Sequence, residues 1–212
     1  MGGKPRERGS SAGGPILVVD VQRGFLNDYT RHVPGRVAQL LGRGRGRDRY
    51  HPVYFTRFEN PPGGPYRKLL SWDACARPPE TDLAPELEPF AAAERVFSKP
   101  GYAGLPDALA GVLRDAGVER ISVVGIDTDM CVLKVVLDLF DLAIEPVVLV
   151  DCCASTAGLQ AHLAGLAVLT RNIGATRLRD AGLGEGQLAA PDPPPVRQRP
   201  RPRPTSRVAR PR

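Results

Sequence analysis

The chain has 212 residues, of which 42% are hydrophobic, 25% charged and 6% aromatic, with a formal net charge of +6. That length suits one α/β domain with tails, and four irregularly spaced cysteines exclude a disulfide framework and point to a reducing, cytoplasmic setting. No apolar run reaches the ~20 residues of a membrane span, and the basic N-terminus lacks the apolar stretch of a signal peptide.

The charge is unevenly placed. Residues 191–212 hold seven Arg and one Asp, whereas residues 1–190 hold 22 basic and 22 acidic groups. The basicity therefore belongs to the tail and the body is neutral. Arg outnumbers Lys by 25 to 4, a composition expected of a GC-rich, bacterial genome. Each lysine is correspondingly more noticeable.

In chain order, residues 1–14 are Gly/Ser-rich and charged, and are expected to be disordered. PILVVDVQ is then a continuous apolar run ending at Asp20, as suits an inner strand buried on both faces. PGRVAQLLG (34–42) has the Pro-first, Gly-last form of a short helix, and HPVYFTRF reads as a second strand. The stretch from Glu59 to Phe90 is too rich in proline for more than a turn or two of helix. ERVFSKPGY reads as a third strand running out at Lys99, and LPDALAGVLRDAG as an amphipathic helix. ERISVVGIDTDMCVLKVVLDLFDLA reads as strand, tight turn and helix; a fifth strand, IEPVVLVDCCAS, a further helix and a short last strand follow. Such alternation predicts a mainly parallel sheet of about six strands with helices on both faces. Residues 185–212, rich in Pro and Arg, are expected to be a disordered tail with polyproline-II character.

Ligands of open α/β sheets bind beyond the carboxyl ends of the strands. Three reactive residues fall there: Asp20 after strand one, Lys99 at the end of strand three, and Cys131 in the turn after strand four. A thiolate is the nucleophile of a cysteine site, and a nearby cation and helix N-terminus are expected to lower its pKa. Asp20 can act as general base and acid, and backbone N–H groups of the turn can hold an oxyanion. Each residue also has a structural reading. The Cys fits an inert core position, the Asp a helix cap or cation ligand, and the Lys an ordinary surface residue.

The strings PILVVDVQRGF, FSKPGY and GIDTDMCVLKVVLDLF, with TRF in strand two and RNIG near the end, resemble the isochorismatase-like cysteine hydrolase superfamily from about Pro15 to Ile173. The resemblance implies a three-layer α/β/α Rossmann-like domain, here residues 15–184, with a catalytic triad of Asp20, Lys99 and Cys131. It further implies a cis peptide at Ile126–Asp127 and an oxyanion hole from the amides of Asp127 and Cys131. The implied chemistry is hydrolysis of a C–N bond (amide, ureido or carbamoyl) in a small molecule through a thioester, without a cofactor, in a dimer or tetramer. True isochorismatases cleave a vinyl ether and generally lack the cysteine. Nicotinamidases of the superfamily bind a metal through an Asp-x-His motif and another His. His32, His51 and His162 occupy no such motif and TRFENPPGG stands there instead, so no metal is expected.

Phe25, Trp72 and Tyr102 are expected to flank or close the pocket, with ordinary packing as the alternative. Arg57, at the end of strand two, fits either a substrate carboxylate or a structural salt bridge. Ala103 and Gly104 stand where relatives often have Ser and a larger apolar residue, an expectation of an enlarged pocket. Cys152 and Cys153 read as buried packing. The remaining alternative is a non-catalytic binding protein whose Arg tail contacts nucleic acid or a partner. Nothing aromatic interleaves those arginines, so nucleic-acid binding is not expected.

Overall fold

The computed structural model describes residues 13–43, 50–101 and 104–183. The N-terminal segment to residue 12, Tyr102, Ala103 and the Arg/Pro tail therefore lie outside the described residues.

Six parallel strands form one sheet in the order β3-β2-β1-β4-β5-β6. They are β1 (Gly14–Val19), β2 (Tyr50–Phe58), β3 (Val96–Lys99), β4 (Arg120–Ile126), β5 (Glu145–Ala154) and β6 (Leu178–Arg179). The helices are α1 (Val33–Gly42), α2 (Pro65–Leu70), α3 (Asp107–Asp115), α4 (Leu133–Asp141) and α5 (Leu159–Ile173). Among the described residues no helix is long and apolar enough to cross a membrane.

The unbroken apolar run of β1 has a direct cause. Side chains alternate across a strand, so Ile16 and Val18 enter the core on one face, and Leu17 and Val19 the core on the other. The first core is covered by α1, whose Val33, Val37, Leu40 and Leu41 recur at helical spacing. The second is covered by α3, α4 and α5, through pairs such as Leu109 and Leu113 or Leu169 and Ile173. Cys152 and Cys153 divide between the two cores in the same way. The proline-rich stretch holds only the six-residue α2 and a short 3-10 turn over Pro85–Phe90.

Strand order reverses direction at β1 and β4, which opens a crevice beyond their carboxyl ends. Two glycines set its geometry. At Gly125 in β4 φ is +136°, and a Cβ would lie 2.1 Å from the carbonyl oxygen of Val19. At Gly165 a Cβ would meet the backbone of Asp129 at 2.8 Å, so α5 can lie directly on the turn that follows β4.

Candidate active site

Asp20 directly follows β1 with φ +50°, a left-handed conformation that Asp tolerates better than most residues. It is fully buried. The hydroxyl of Thr56 in β2 donates to its Oδ1 at 2.7 Å, and Lys99 Nζ stands 2.7 Å from its Oδ2. Lys99, also buried, lies over the ring of Phe58 at 5.8 Å and donates to the Gly101 carbonyl at 3.4 Å. Next to Asp20, Gln22 ties β1 to the end of β2: its Nε2 donates to the Phe58 and Thr81 carbonyls and its Oε1 accepts from Phe58 N–H.

After β4 the Ile126–Asp127 peptide is cis. A π-helical turn over Thr128–Val132 then leads into α4, with the N–H groups of Met130 and Val132 engaged by the Asp127 carbonyl. The Asp127 side chain accepts from the Thr156 N–H and hydroxyl, at 2.6 and 2.8 Å. Burial, partly countered by those two bonds, raises its pKa above the ordinary carboxylate value. Thr156 in turn accepts from Asn27 through its carbonyl. Across the turn, the Thr128 hydroxyl and His162 Nδ1 are 2.8 Å apart.

Cys131 sits in the π-helical turn, close enough to Asp20 and Lys99 for the charge of each to act on its thiol. Three strand ends thus deliver a carboxylate, an ammonium and a thiol to one point. The expected lowering of the thiol pKa is overturned. Burial and the negative charge of Asp20 push the Cys131 thiol up, and the opposing influence of Lys99 is smaller. The cation that was to stabilise a thiolate is already paired. For Lys99 itself, burial favours the neutral amine, but Asp20 and Cys131 outweigh it and hold the pKa above its ordinary value. Burial and Asp20 thus both oppose ionisation of the Cys131 thiol.

This gives a direct expectation for chemical modification. Alkylation of Cys131 by iodoacetamide should accelerate about tenfold per pH unit through pH 9 without levelling off, because the thiolate fraction follows a raised pKa. Rates measured from pH 7 to 9.5 by peptide mass spectrometry check this, and a rate independent of pH would mean a preformed thiolate. Cys75 and Cys152, whose thiols burial raises to about 12, should label more slowly because neither lines the cavity.

Cys131 opens onto a cavity of about 600 Å³. Phe25, Phe58, Tyr66 and Trp72 give the same cavity an aromatic wall. Phe25 stacks on Trp72 with ring centres 6.3 Å apart, and Tyr66 meets Phe58 edge-on at 5.0 Å. Asp127 is the one charged side chain among the described lining residues, and Thr156 holds both its oxygens.

The structure thus brings together Asp20, Lys99, Cys131, Asp127, Phe25 and Trp72. Arg57 is not among them. Thr56 and Phe58 take the inward face at the end of β2, so period-2 alternation turns Arg57 to the other face. There it pairs with Glu59 at 2.9 Å and donates to Ser98 of β3, the structural salt bridge of its two readings. Gly104 does not widen the cavity, because α4 fills that space: a Cβ would lie 2.2 Å from Asp138 Oδ2. Thr56, Gln22, Phe58, Tyr66 and Thr156 were missed as site residues. Strand alternation from Asp20 and Thr56 offers a signal for Phe58; the six-residue α2 that holds Tyr66 is too short to offer one.

Among the described residues no three His, Cys, Asp or Glu side chains converge. After β2 stands Asn60, whose amide nitrogen donates to the Trp72 and Ala74 carbonyls.

Residues 15–179 match the model of the isochorismatase domain family. The chain belongs to that family. It is 30% identical over 164 residues to the nicotinamidase/pyrazinamidase of Mycobacterium tuberculosis, covering 67% of this chain and 87% of that protein. Its fold is that of an isochorismatase-like hydrolase from Alkaliphilus metalliredigens, with a TM-score of 0.68 at 20% identity over 80% of this chain and 96% of the other. N-carbamoylsarcosine amidase from Thermoplasma acidophilum shares the fold with a TM-score of 0.65 at 19% identity, over 82% and 99% of the two chains.

Proposed function

We propose that this protein hydrolyses the C–N bond of a small amide through a thioester on Cys131. The observation that carries the reading is the convergence of Asp20, Lys99 and Cys131, with the Asp20–Lys99 pair at 2.7 Å behind a thiol that faces the cavity. The amidase names of two relatives support the same reaction class.

Asp20 takes the thiol proton as Cys131 Sγ attacks the carbonyl carbon, so a thiolate exists only while it is being consumed. Lys99 orients Asp20 and stabilises the sulfur charge in passing. The oxygen of the tetrahedral intermediate is held by the N–H groups of Asp127 and Cys131. Asp20 then gives its proton to the nitrogen as the C–N bond breaks, and ammonia or an amine leaves. Water attacks the thioester, passing a proton to Asp20. Collapse releases the carboxylic acid and returns the proton to sulfur.

The aromatic wall and the absence of a cation among the described lining residues favour an uncharged, flat acyl group over a carboxylate-bearing carbamoyl compound. The setting is cytoplasmic, in keeping with four free, buried cysteines, and the assembly a dimer or tetramer. A panel of aromatic, aliphatic, ureido and carbamoyl amides, assayed for ammonia release, tests the reading. Aromatic amides should turn over fastest. Preference for a carboxylate-bearing ureido compound would overturn the assigned class, and inactivity across the panel would favour a binding protein.

A further inference from the structure

We infer that the substrate's acyl group carries an apolar extension beyond the flat part, and that Leu69 and Leu70 of α2 select for it. The inference rests on the amidase reading of Cys131 and names the shape of its substrate. Leu69 is 79% and Leu70 61% exposed, yet both line the same cavity as Cys131. The cavity's roughly 600 Å³ lies in the middle of the range filled by drug-sized ligands, several times the room of a single-ring carboxamide. A single ring fills only part of that volume, and Leu69 and Leu70, the most exposed of the apolar lining residues, are left for a longer acyl group to cover.

The chemistry of that end is set by what surrounds it. Asp127 is already held by Thr156 and no cationic side chain is among the described lining residues, so a charged extension would gain no ion pair beyond the water it keeps at this open end. An alkyl or aryl extension would instead take two solvated leucines out of water. Phe25 and Trp72, stacked on each other, line the same cavity and add to its apolar surface.

A series of para-alkyl benzamides, from hydrogen to butyl, tests this. With the wild-type enzyme, kcat/KM for ammonia release should rise about twofold per methylene, below the full-burial value because the cavity is open at this end. Trp72 is the only tryptophan in the chain, so its fluorescence reports binding without turnover. With Cys131→Ala, Kd should tighten along the same series. Leu69→Ser with Leu70→Ser should flatten both series, reducing the butyl-to-hydrogen ratio about tenfold.

A flat or falling series with benzamide still hydrolysed overturns the inference and leaves the amidase reading standing. If no member is hydrolysed but Kd still tightens, the apolar subsite holds and the amidase reading fails. A flat series accompanied by a changed sedimentation coefficient in the double variant would assign the leucines to a second copy of the chain and also overturn the inference.

Discussion

Lys99→Met is expected to destabilise the protein by about 3–5 kcal/mol, because it leaves the Asp20 carboxylate buried without its counter-charge. Both partners are essentially inaccessible to solvent, at 0% and 1% exposure, so little screening softens the loss. The Thr56 hydroxyl remains on Oδ1, but a hydroxyl cannot neutralise a charge. Adding Asp20→Asn should restore most of the stability, since an amide in that place needs hydrogen bonds and no cation. It should restore no activity, because the asparagine cannot take the thiol proton. Urea unfolding of the two single variants and the pair separates the structural contribution of these residues from their chemistry.

The pH dependence has a definite sign. Lys99 has a folded pKa above its ordinary 10.5. Its contribution is fully present below pH 10.5 and is lost as pH rises through the higher folded value. Wild-type stability should therefore show an alkaline decline that Lys99→Met lacks. A Lys99→Met protein as stable as wild type at pH 7 would rule out a charged buried pair.

What could be read from the chain follows the range of each physical signal. β1 and β4 are legible because burial on both faces leaves a continuous apolar run, and α1 because its Pro34, Gly42 and 3.6-residue period agree. Strand ends then locate Asp20, Lys99 and Cys131, since parallel topology puts every carboxyl end on one edge. Arg57 stands at such an end too, and there the rule fails. The edge of a sheet is a one-dimensional address, whereas the face a side chain takes depends on register with Thr56 and Phe58.

Electrostatics was less legible still. A cation near Cys131 suggests a lowered pKa only while its own partner is unknown. The outcome reverses once Lys99 is found 2.7 Å from Asp20, with both groups buried. Tyr66 lies in α2, a helix of six residues in a proline-rich stretch, too short for a 3.6-residue period to stand out. Only the folded chain shows its ring against Phe58.

Cys131→Ala is expected to reduce ammonia release from the best amide by at least ~10⁴-fold, with Kd by Trp72 fluorescence changed less than about threefold. Cys131→Ser should fare little better. A serine hydroxyl holds its proton far more tightly than a thiol, and here burial and Asp20 already oppose ionisation of the thiol itself. Replacing sulfur by oxygen makes proton transfer to Asp20 during attack harder while leaving both members of the Asp20–Lys99 ion pair in place. The acyl group provides the positive evidence. Rapid quenching of wild type with substrate should give a peptide containing Cys131 heavier by the acyl mass, and hydroxylamine should release it as the hydroxamate, as a thioester requires. Cys131→Ser retaining more than about 1% of activity, or an acyl mass found on Cys75 or Cys152, would remove Cys131 from the reaction. The pH profile of kcat/KM gives a separate check. Activity that begins to rise only above pH 9 would mean that the thiol must ionise to solvent before it attacks, whereas proton transfer to Asp20 during attack allows turnover near neutrality.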